Sequence, residues 1–384
     1  MPSLFSFLLF PKIHANIDLM KSHKPDYVFL SFLIIILLFG LVSLLSASII
    51  KSYQVHQNLY YFFKHQFIFG ILLGLLAFLI CQKINYKFWI KISPILLVIS
   101  LVLLGLVLVP SIGCKSGGAQ RWLCVQNFSF QPSEFLKLSL ILFLGSWLGQ
   151  KPKNDLADFR KTFVPFIIII SIISFLIILE PDIGTLGLLI IISLSIYFTA
   201  ETRLSHILLL LITGAGLLGV LIKTAPYRFN RLLSFLNPDF DPQGIGYQIK
   251  QALISIGSGG LFGLGLGRSL QKQAILPMPI HDSIFAVIGE EFGFIGTIFL
   301  LVCFVVILWR GIKIIKKAPD KTAGLIALGI VVWISTQAFI NILGITGLMP
   351  LTGMPLPFVS YGSSSLIISM AGAGILFNIS KHTN

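Results

Sequence analysis

Seven charged side chains lie within or at the ends of long apolar segments of this sequence, where charge is costly. They are Glu134, Lys137, Glu180, Asp182, Asp282, Glu290 and Glu291. Ionisable residues in such surroundings are candidates for function by default. A carboxylate that is partly shielded from water holds a proton more tightly, which suits it to act as a general base. Gln337 and Asn341 add two strongly polar side chains to this set of candidates.

Each of these acids also has a structural explanation. Glu134 and Lys137 are three residues apart on one helix face, so they either neutralise each other or line a polar cavity together. Asp182 either caps the helix that follows it or contacts a substrate or metal. Asp282 directly precedes the start of an apolar segment, and a capping role and a general-base role are equally consistent with that position.

Two further segments contain unusual residue types. Cys114 and Cys124 bracket nine residues of one connection, where an oxidising environment would permit a disulfide; the sequence leaves the pairing open. A metal site there is less favoured, because no His or acidic residue lies nearby. Residues 353–365 (GMPLPFVSYGSSS) are rich in Pro, Gly and hydroxyl side chains, which predicts irregular backbone that faces a polar space.

The elements that must position these residues are membrane helices. Of 384 residues, 56% are hydrophobic and 11% are charged, whereas an average soluble domain is roughly 25% charged. We therefore predict an all-α integral membrane protein with about ten transmembrane helices. The predicted spans are 28–48, 66–81, 93–110, 133–148, 163–180, 183–199, 205–222, 284–309, 323–345 and 360–378.

Positive charge sets the predicted orientation. The net charge of +14 lies mostly in short loops rather than on one soluble surface, so no nucleic-acid partner is expected. With the N-terminus inside, the inner segments hold 17 Lys and Arg residues, and the short outer loops hold 4. Both termini are therefore predicted to be cytoplasmic.

The predicted domain organisation is a single membrane domain over residues 28–379, between a cytoplasmic tail (1–27) and a cytoplasmic end (380–384). The connection 223–283, between the seventh and eighth helices, is too long to obey the charge rule, and we predict that it is extracytoplasmic. The helical spacing of YQIKQAL (247–253) and the scarcity of solvating charges in the Gly-rich stretch 257–267 predict that this loop is structured.

Five stretches, in this order along the chain, resemble the SEDS family of membrane glycosyltransferases that polymerise peptidoglycan. They are GGAQRWLCVQNFSFQPSEFLKL (117–138), EPDIGT (180–185), YRFNRLLSFLNPDFDPQGIGYQIKQAL (227–253), LPMPIHDSIFAVIGEEFGFIG (276–296) and GLMPLTGMPLPFVSYGSSS (347–365). The stretches RFNRLLSFLNP and GLGLGRSLQK are more similar to the division branch, FtsW and its sporulation relative, than to RodA.

This resemblance implies that the chain polymerises lipid II at the outer face of the cytoplasmic membrane for septal wall synthesis. The 4-hydroxyl of one disaccharide would attack the anomeric carbon of another and expel undecaprenyl pyrophosphate, with Asp282 as general base. The implied contacts to substrate and pyrophosphate are Arg121, Lys137, Arg228, Arg231, Glu134, Ser360 and Ser364. A divalent cation, Mg or Mn, is compatible with this chemistry, although no spacing specifies a metal site.

The resemblance also implies partners: lipid II as substrate, membrane lipids, a class B penicillin-binding protein and other division proteins. The sequence departs from the family pattern at four positions, Met278, His281, Ser283 and Ser363, which leaves the donor site and the pH optimum open.

Two other functions fit the sequence, a lipid II transporter and a non-catalytic scaffold of a wall-synthesis complex. A transporter is disfavoured because no paired, Gly/Pro-broken short helices recur in two halves of the chain.

Overall fold

The structure, a computed structural model, describes residues 24–116, 119–125, 128–224, 226–237, 240–241, 244–272 and 275–382. The described chain is mostly helical. Its helices are α1 (Tyr27–His56), α2 (Tyr61–Lys83), α3 (Tyr86–Val107), α4 (Pro132–Gly149), α5 (Lys153–Leu156), α6 (Phe159–Leu179), α7 (Ile183–Thr199), α8 (Leu204–Thr224), α9 (Pro226–Leu236), α10 (Ile245–Ser258), α11 (Ile284–Lys316), α12 (Lys321–Ile345) and α13 (Ser363–Ser380).

A small sheet supplements the helices. Strands β1 (Gly113–Ser116), β2 (Ala119–Val125) and β3 (Phe128–Phe130) form one antiparallel sheet in the order β1-β2-β3. The prediction of an all-α chain is therefore correct for the bundle and has to be corrected for this connection. The apolar periodicity that predicts long helices gave no indication of three strands of three to seven residues.

Seven helices in the described part of the chain are long and apolar enough to cross a membrane: α1, α2, α3, α6, α11, α12 and α13. Helices α4, α7 and α8 occupy the other three predicted spans. The mostly helical, membrane-type architecture is thus confirmed. The number of ten crossings stays a prediction.

Capping residues in the sequence define where several helices begin. The Asp26 carboxylate accepts a hydrogen bond from the Phe29 amide at 2.9 Å, and Asp320 accepts one from the Ala323 amide at 2.7 Å. Pro132 occupies the first turn of α4, where its missing N–H group is not needed. The two aspartates satisfy amide groups that the first turn of a helix leaves without partners, and Pro132 removes one such group.

Helices α4, α12 and α13 form the buried centre of the bundle. At Gly374 of α13, an added Cβ atom would lie 2.7 Å from the Phe78 carbonyl oxygen of α2, so a larger residue would force the two helices apart. The outer helices instead expose apolar side chains, among them Leu38, Val102 and Phe175. Such exposure is expected where lipid tails, and not water, surround the protein.

The described part of the predicted loop 223–283 contains α9 and α10 and folds onto α11. The predicted helical spacing of residues 247–253 is confirmed, since α10 covers them and buries Ile249 and Ala252 on one face. Helix α11 breaks at Gly293, which has a φ angle of +68° that favours glycine. At the break, Leu264 N–H donates to the Glu290 carbonyl, and Phe294 N–H donates to the Gly260 carbonyl, each at 2.9 Å. The extracytoplasmic location of the loop stays a prediction.

Two buried acids of α11 fasten this loop to the bundle. Glu290 accepts hydrogen bonds from Ser269 Oγ at 2.5 Å and from the Leu270 amide at 2.8 Å. Glu291 forms an ion pair with Lys272 at 2.6 Å, and both side chains contact Ser46 Oγ of α1. Because buried charges are costly without partners, these contacts hold residues 269–272 against α1 and α11.

We expect Lys272→Met to destabilise the protein by about 3 kcal/mol or more, because it leaves the buried Glu291 carboxylate without its counter-charge. The double variant Lys272→Met/Glu291→Met should recover most of that loss. The free energy of unfolding in detergent measures both effects.

Lys161→Met is the matched control, because it removes a lysine from the largely exposed pair with Asp155. An exposed pair contributes about 1 kcal/mol or less. A Lys272→Met loss no larger than that of the control would contradict the anchoring role of the buried pair.

Candidate functional site

A cavity of about 300 Å³ opens at the end of the bundle where α11 begins, which we term the site end. This polar cavity gathers charged residues that are far apart in sequence. Its lining consists of His65, Arg121, Trp122, Ser129, Gln131, Glu134, Asp182, Thr185, Met278, His281, Asp282, Gly353, Met354, Pro355, Tyr361, Gly362, Ser363 and Ser365. The irregular backbone predicted for residues 353–365 is confirmed up to Gly362, and it forms one wall.

The backbone around Asp282 is held by groups from two other segments. Asn341 Nδ2 of α12 donates to the Asp282 carbonyl at 2.9 Å, and Ser360 Oγ donates to the His281 carbonyl at 2.6 Å. The Tyr361 amide donates to the Ile280 carbonyl at 2.8 Å. Ser283, not Asp282, holds the capping position of α11, and no side chain caps that helix. The geometry therefore removes the capping explanation for Asp282.

The Asp282 carboxylate lines the cavity yet is only 7% exposed. Its Oδ2 accepts a hydrogen bond from Gln248 Nε2 at 3.2 Å, whereas Oδ1 has no hydrogen-bond partner in the described residues. Burial raises the pKa of Asp282, and the Gln248 hydrogen bond and the Arg231 charge oppose that rise. An acid with a raised pKa and an oxygen without a partner is a stronger base than an exposed carboxylate.

Arg121 reaches the cavity from strand β2. Its Nε donates to the Glu180 carbonyl at 2.9 Å, and its Nη2 donates to the Pro181 carbonyl. The cysteine pairing that the sequence left open is present as a disulfide between Cys114 on β1 and Cys124 on β2. The disulfide thus links the two strands of the hairpin that presents the arginine.

Glu134 and Lys137 form the predicted intrahelical ion pair, with Nζ 2.8 Å from both carboxylate oxygens. Lys137 also donates to Gln337 Oε1 at 2.9 Å and is only 1% exposed. Glu134 lines the polar cavity, but Lys137 does not. The structure therefore supports the neutralising explanation, and of the two residues only the acid faces the cavity.

The segment between α6 and α7 contributes two more acids. Asp182 caps α7 as predicted, accepting from the Thr185 amide at 3.2 Å and from Thr185 Oγ1 at 2.9 Å. It also lines the polar cavity. Glu180 is fully buried, and its carboxylate oxygens have no hydrogen-bond partner in the described residues.

A second cavity of about 300 Å³ adjoins the first and shares Arg121, Asp182 and Met354 with it. We term it the apolar cavity, since aliphatic side chains of α7 and of residues 349–354 form most of its walls. Its other lining residues are Pro181, Ile183, Gly184, Gly187, Leu188, Ile191, Arg231, Ile340, Met349, Pro350, Leu351 and Thr352. The arrangement suits a ligand with a long apolar tail and an anionic head near the arginines.

The remaining predicted contacts have different positions. Arg231 lines the apolar cavity, and its Nη1 lies 3.5 Å from the Leu351 carbonyl oxygen. Arg228 lies on α9, but its side chain falls outside the described part of the structure. Ser360 and Ser364 are buried and donate to the carbonyls of His281 and Ser129, respectively. Neither serine lines the cavities, and their role as substrate contacts stays a prediction.

The structure adds residues that sequence reasoning did not single out. Tyr361 OH and His65 Nδ1 of α2 lie 2.9 Å apart at the cavity wall. Burial and the Lys51 charge lower the pKa of His281 to about 4, so its ring is neutral near pH 7. Gln248 lies within YQIKQAL, one of the stretches that resemble the family, so the sequence contained a signal for it. No pattern in the sequence pointed to His65.

The described residues contain no group of three or more His, Cys, Asp or Glu side chains arranged to hold a metal ion. Arg121 and Arg231 are the cations that line the two cavities. These two guanidinium groups can stabilise the charge of an anionic ligand.

The sequence has extensive similarity to known proteins. A family model described as cell cycle protein, covering FtsW, RodA and SpoVE, matches residues 26–384. Stage V sporulation protein E of Bacillus subtilis is 41% identical over 364 residues, which cover 94% of this chain and 99% of that protein. The probable peptidoglycan glycosyltransferase FtsW of Trichlorobacter lovleyi is 39% identical over 92% of this chain and 93% of its own length.

Solved structures share the fold. One chain of a structure that describes structural coordination of polymerization and crosslinking by a peptidoglycan synthase complex has a TM-score of 0.78 and 26% identity, covering 93% of this chain and 98% of that one. The Thermus thermophilus rod shape determining protein RodA has a TM-score of 0.68 and 26% identity, covering 93% and 97% of the two chains. The family match spans every residue that lines the two cavities.

Asp282→Asn should make the protein more stable at neutral pH. The raised pKa means that ionisation of Asp282 is easier in the unfolded chain, so the charged carboxylate destabilises the fold above the ordinary carboxyl pKa. The stability gain should shrink as the pH falls towards about 3.9, where the unfolded carboxyl also becomes neutral. Thermal unfolding midpoints across this pH range measure the effect.

Asp158→Asn is the control, because the Lys161 and Arg160 amides donate to the exposed Asp158 carboxylate and lower its pKa. Asn can keep that cap, and the variant should not gain stability at neutral pH. An Asp282→Asn variant no more stable than the native protein at pH 7 would show that the ionised Asp282 carboxylate does not destabilise the fold.

Proposed function

The chain belongs to the FtsW/RodA/SpoVE family, also called SEDS, and is an integral membrane protein; on that premise we propose that it is a peptidoglycan glycosyltransferase that polymerises lipid II. Relatives named probable peptidoglycan glycosyltransferase FtsW support the reaction class. The observation that carries the proposal is the buried Asp282 carboxylate, which lines a polar cavity shared with Arg121 and has one oxygen without a hydrogen-bond partner in the described residues.

The proposed reaction joins two lipid-linked disaccharides. Asp282 removes the proton from the 4-hydroxyl of the acceptor sugar while that oxygen attacks the anomeric carbon of the donor. The bond between the anomeric carbon and the pyrophosphate oxygen breaks, and the electron pair leaves with undecaprenyl pyrophosphate. A sugar hydroxyl is a poor nucleophile, so a base with a raised pKa directly assists the step.

The adjoining cavities support binding of an amphiphilic, anionic substrate. Arg121 lines both cavities, and Arg231 lines the apolar one, so a pyrophosphate at their junction would meet two guanidinium groups. A guanidinium can donate two parallel hydrogen bonds to phosphate oxygens. The aliphatic wall from α7 would accept part of the polyprenyl chain. Arg228 stays in the proposal as a third phosphate contact on α9.

Three predicted contacts are better explained as positioning residues. Lys137 neutralises Glu134, which leaves that acid able to accept a hydrogen bond from a sugar in the cavity. Ser360 joins residues 355–360 to the chain just before Asp282, and Ser364 joins α13 to β3. A divalent cation, Mg or Mn, stays compatible with this reaction.

The proposed topology has both termini in the cytoplasm and the site end outside, where lipid II is polymerised. The charge pattern of the short loops supports this orientation. The similarity to a chain of a peptidoglycan synthase complex supports a class B penicillin-binding protein as partner. The sporulation and division names of the relatives support a septal role, as the motifs RFNRLLSFLNP and GLGLGRSLQK predicted.

Purified protein supplied with labelled lipid II and a class B penicillin-binding protein should form glycan chains that a gel resolves by length. Asp282→Asn should reduce the polymerisation rate by roughly a hundredfold or more, the usual contribution of a general base. Asp158→Asn, which alters an exposed acid remote from the cavities, should leave the rate unchanged.

Retention of glycan synthesis by a folded Asp282→Asn variant would reject Asp282 as the general base. Absence of polymer with the native protein, although it binds its partner, would favour a scaffold. Movement of labelled lipid II across liposomes by the native protein, without any polymer, would instead favour a transporter. Co-purification of the variant with its partner shows that a loss of polymer does not arise from a lost complex.

Gln248→Met should shift the acidic limb of the rate–pH profile to higher pH. The Gln248 hydrogen bond favours the charged form of Asp282, so its loss raises the pKa of the base further and requires a higher pH for ionisation. The native limb should itself lie above about 3.9, the ordinary aspartate pKa.

Gln251→Met, on the same helix, is the matched control and should leave the limb in place. A Gln248→Met variant with a lower rate but an unmoved limb would show that Gln248 serves only the fold. An unchanged rate and limb would show that the hydrogen bond does not influence the base.

A further inference from the structure

A recess of about 580 Å³ lies between the start of α1, the last turns of α11 and the end of α13, away from both cavities of the site end. We term it the basic recess. It is lined by Lys24, Pro25, Asp26, Tyr27, Val28, Arg310, Lys313, Ile314, Lys316, Lys317 and Ser380. Five of these side chains are cationic, and one is acidic. The proposed reaction uses none of them.

Arg310 forms the fixed part of this recess. The Asp26 carboxylate accepts from Arg310 Nε at 2.8 and 3.0 Å and lies 2.7 Å from Nη2. Asp26 therefore orients the guanidinium and compensates one of the five positive charges. Lys24, Lys313, Lys316 and Lys317 are exposed and face no other acid of the recess lining. The recess thus combines an oriented guanidinium with several ammonium groups, which is suited to a phosphate.

The recess lies at the far face of the membrane from Asp282. Arg310 follows Ile284, the first residue of α11, by 26 residues. Because α11 breaks at Gly293, only the 17 residues from Gly293 to Arg310 form one continuous segment. At about 1.5 Å per residue this segment alone is roughly 26 Å long, close to the hydrocarbon thickness of about 30 Å. Tyr27 and Trp309 are 60% and 51% exposed beside the recess, and Lys313 Nζ lies 3.6 Å from the Trp309 ring centre. Exposed Tyr and Trp rings are typical of the membrane–water interface.

Apolar side chains continue from the recess into the membrane region. On α11, Val302, Val305 and Trp309 are exposed at helical spacing, and on the packed neighbour α1, Ile34 and Leu38 are exposed. A ligand that filled the recess with its head could lay acyl chains along these two helices. A free phosphate would use only the charged part of this surface.

We propose that the basic recess binds the headgroup of an anionic phospholipid in the leaflet opposite the site end. The combination of four ammonium groups with no acidic partner among the described residues, an oriented arginine and exposed apolar side chains on α1 and α11 favours this ligand. Residues 1–23 precede the recess in sequence, but they carry Lys12 and Lys21 against the single acid Asp18. Their charge is therefore not complementary to the recess.

Native mass spectrometry of the full-length protein in detergent can test the proposal, with phosphatidylglycerol and phosphatidylcholine of identical acyl chains as probes. The native protein should bind phosphatidylglycerol on the order of tenfold more tightly. Lys313→Gln/Lys316→Gln/Lys317→Gln should lose most of this preference, and the corresponding triple Arg variant should keep it. Lys83→Gln/Lys87→Gln/Lys91→Gln, at the same end of the bundle, is the matched control and should keep it too.

Equal loss of selectivity in both triple Gln variants would mean that general surface charge attracts the lipid, and it would overturn the proposal. Displacement of phosphatidylglycerol by an equal concentration of inorganic phosphate would reassign the recess to free anions. Loss of selectivity on deletion of residues 1–22 would show that the N-terminal segment, and not the recess, holds the lipid. A melting temperature like that of the native protein would show that each variant is folded.

Discussion

The structure depends on one constraint: a charge inside an apolar bundle is costly unless it finds partners within the protein. Glu290 and Glu291 of α11 meet this constraint through Ser269, the Leu270 amide and Lys272. Those partners belong to the connection that leads to Asp282, so the same contacts that satisfy the acids also fix the path of that chain. The break of α11 at Gly293 exposes backbone groups, and residues 260–264 supply their hydrogen-bond partners. A loop and a transmembrane helix thereby become one unit.

Asp282 differs from Glu290 and Glu291, because its carboxylate has fewer hydrogen-bond partners. Asn341 and Ser360 hold the backbone beside it, and Gln248 holds one carboxylate oxygen, but the other oxygen has no hydrogen-bond partner in the described residues. An acid kept in this state is costly for stability and useful for proton transfer. The Glu134–Lys137 pair differs from Asp282, because the lysine offsets the cost of burying the Glu134 charge and leaves that acid able to accept a hydrogen bond.

The two ends of the bundle differ in their balance of charges. At the site end, arginines from β2 and α9 lie among several acids, and apolar walls adjoin a polar cavity. At the opposite end, cations outnumber acids around the basic recess. Helix α11 runs between the two ends, in two segments that meet at the break at Gly293.

The sequence by itself determined the features that depend on residues close together in the chain: the apolar helices, the shared helix face of Glu134 and Lys137, helix α10 and the motifs that identify the family. It offered the Asp182 cap as one of two explanations, and the structure shows that cap. Tertiary structure decided which of the candidate polar residues come into contact. It buried Lys137 against Gln337, 200 residues away, and brought His65 to Tyr361 across 296 residues. It also delivered Arg121 on a strand and Gln248 to Asp282. Local patterns constrain local geometry, whereas the partner of a polar side chain in a helical bundle is set by how distant helices pack.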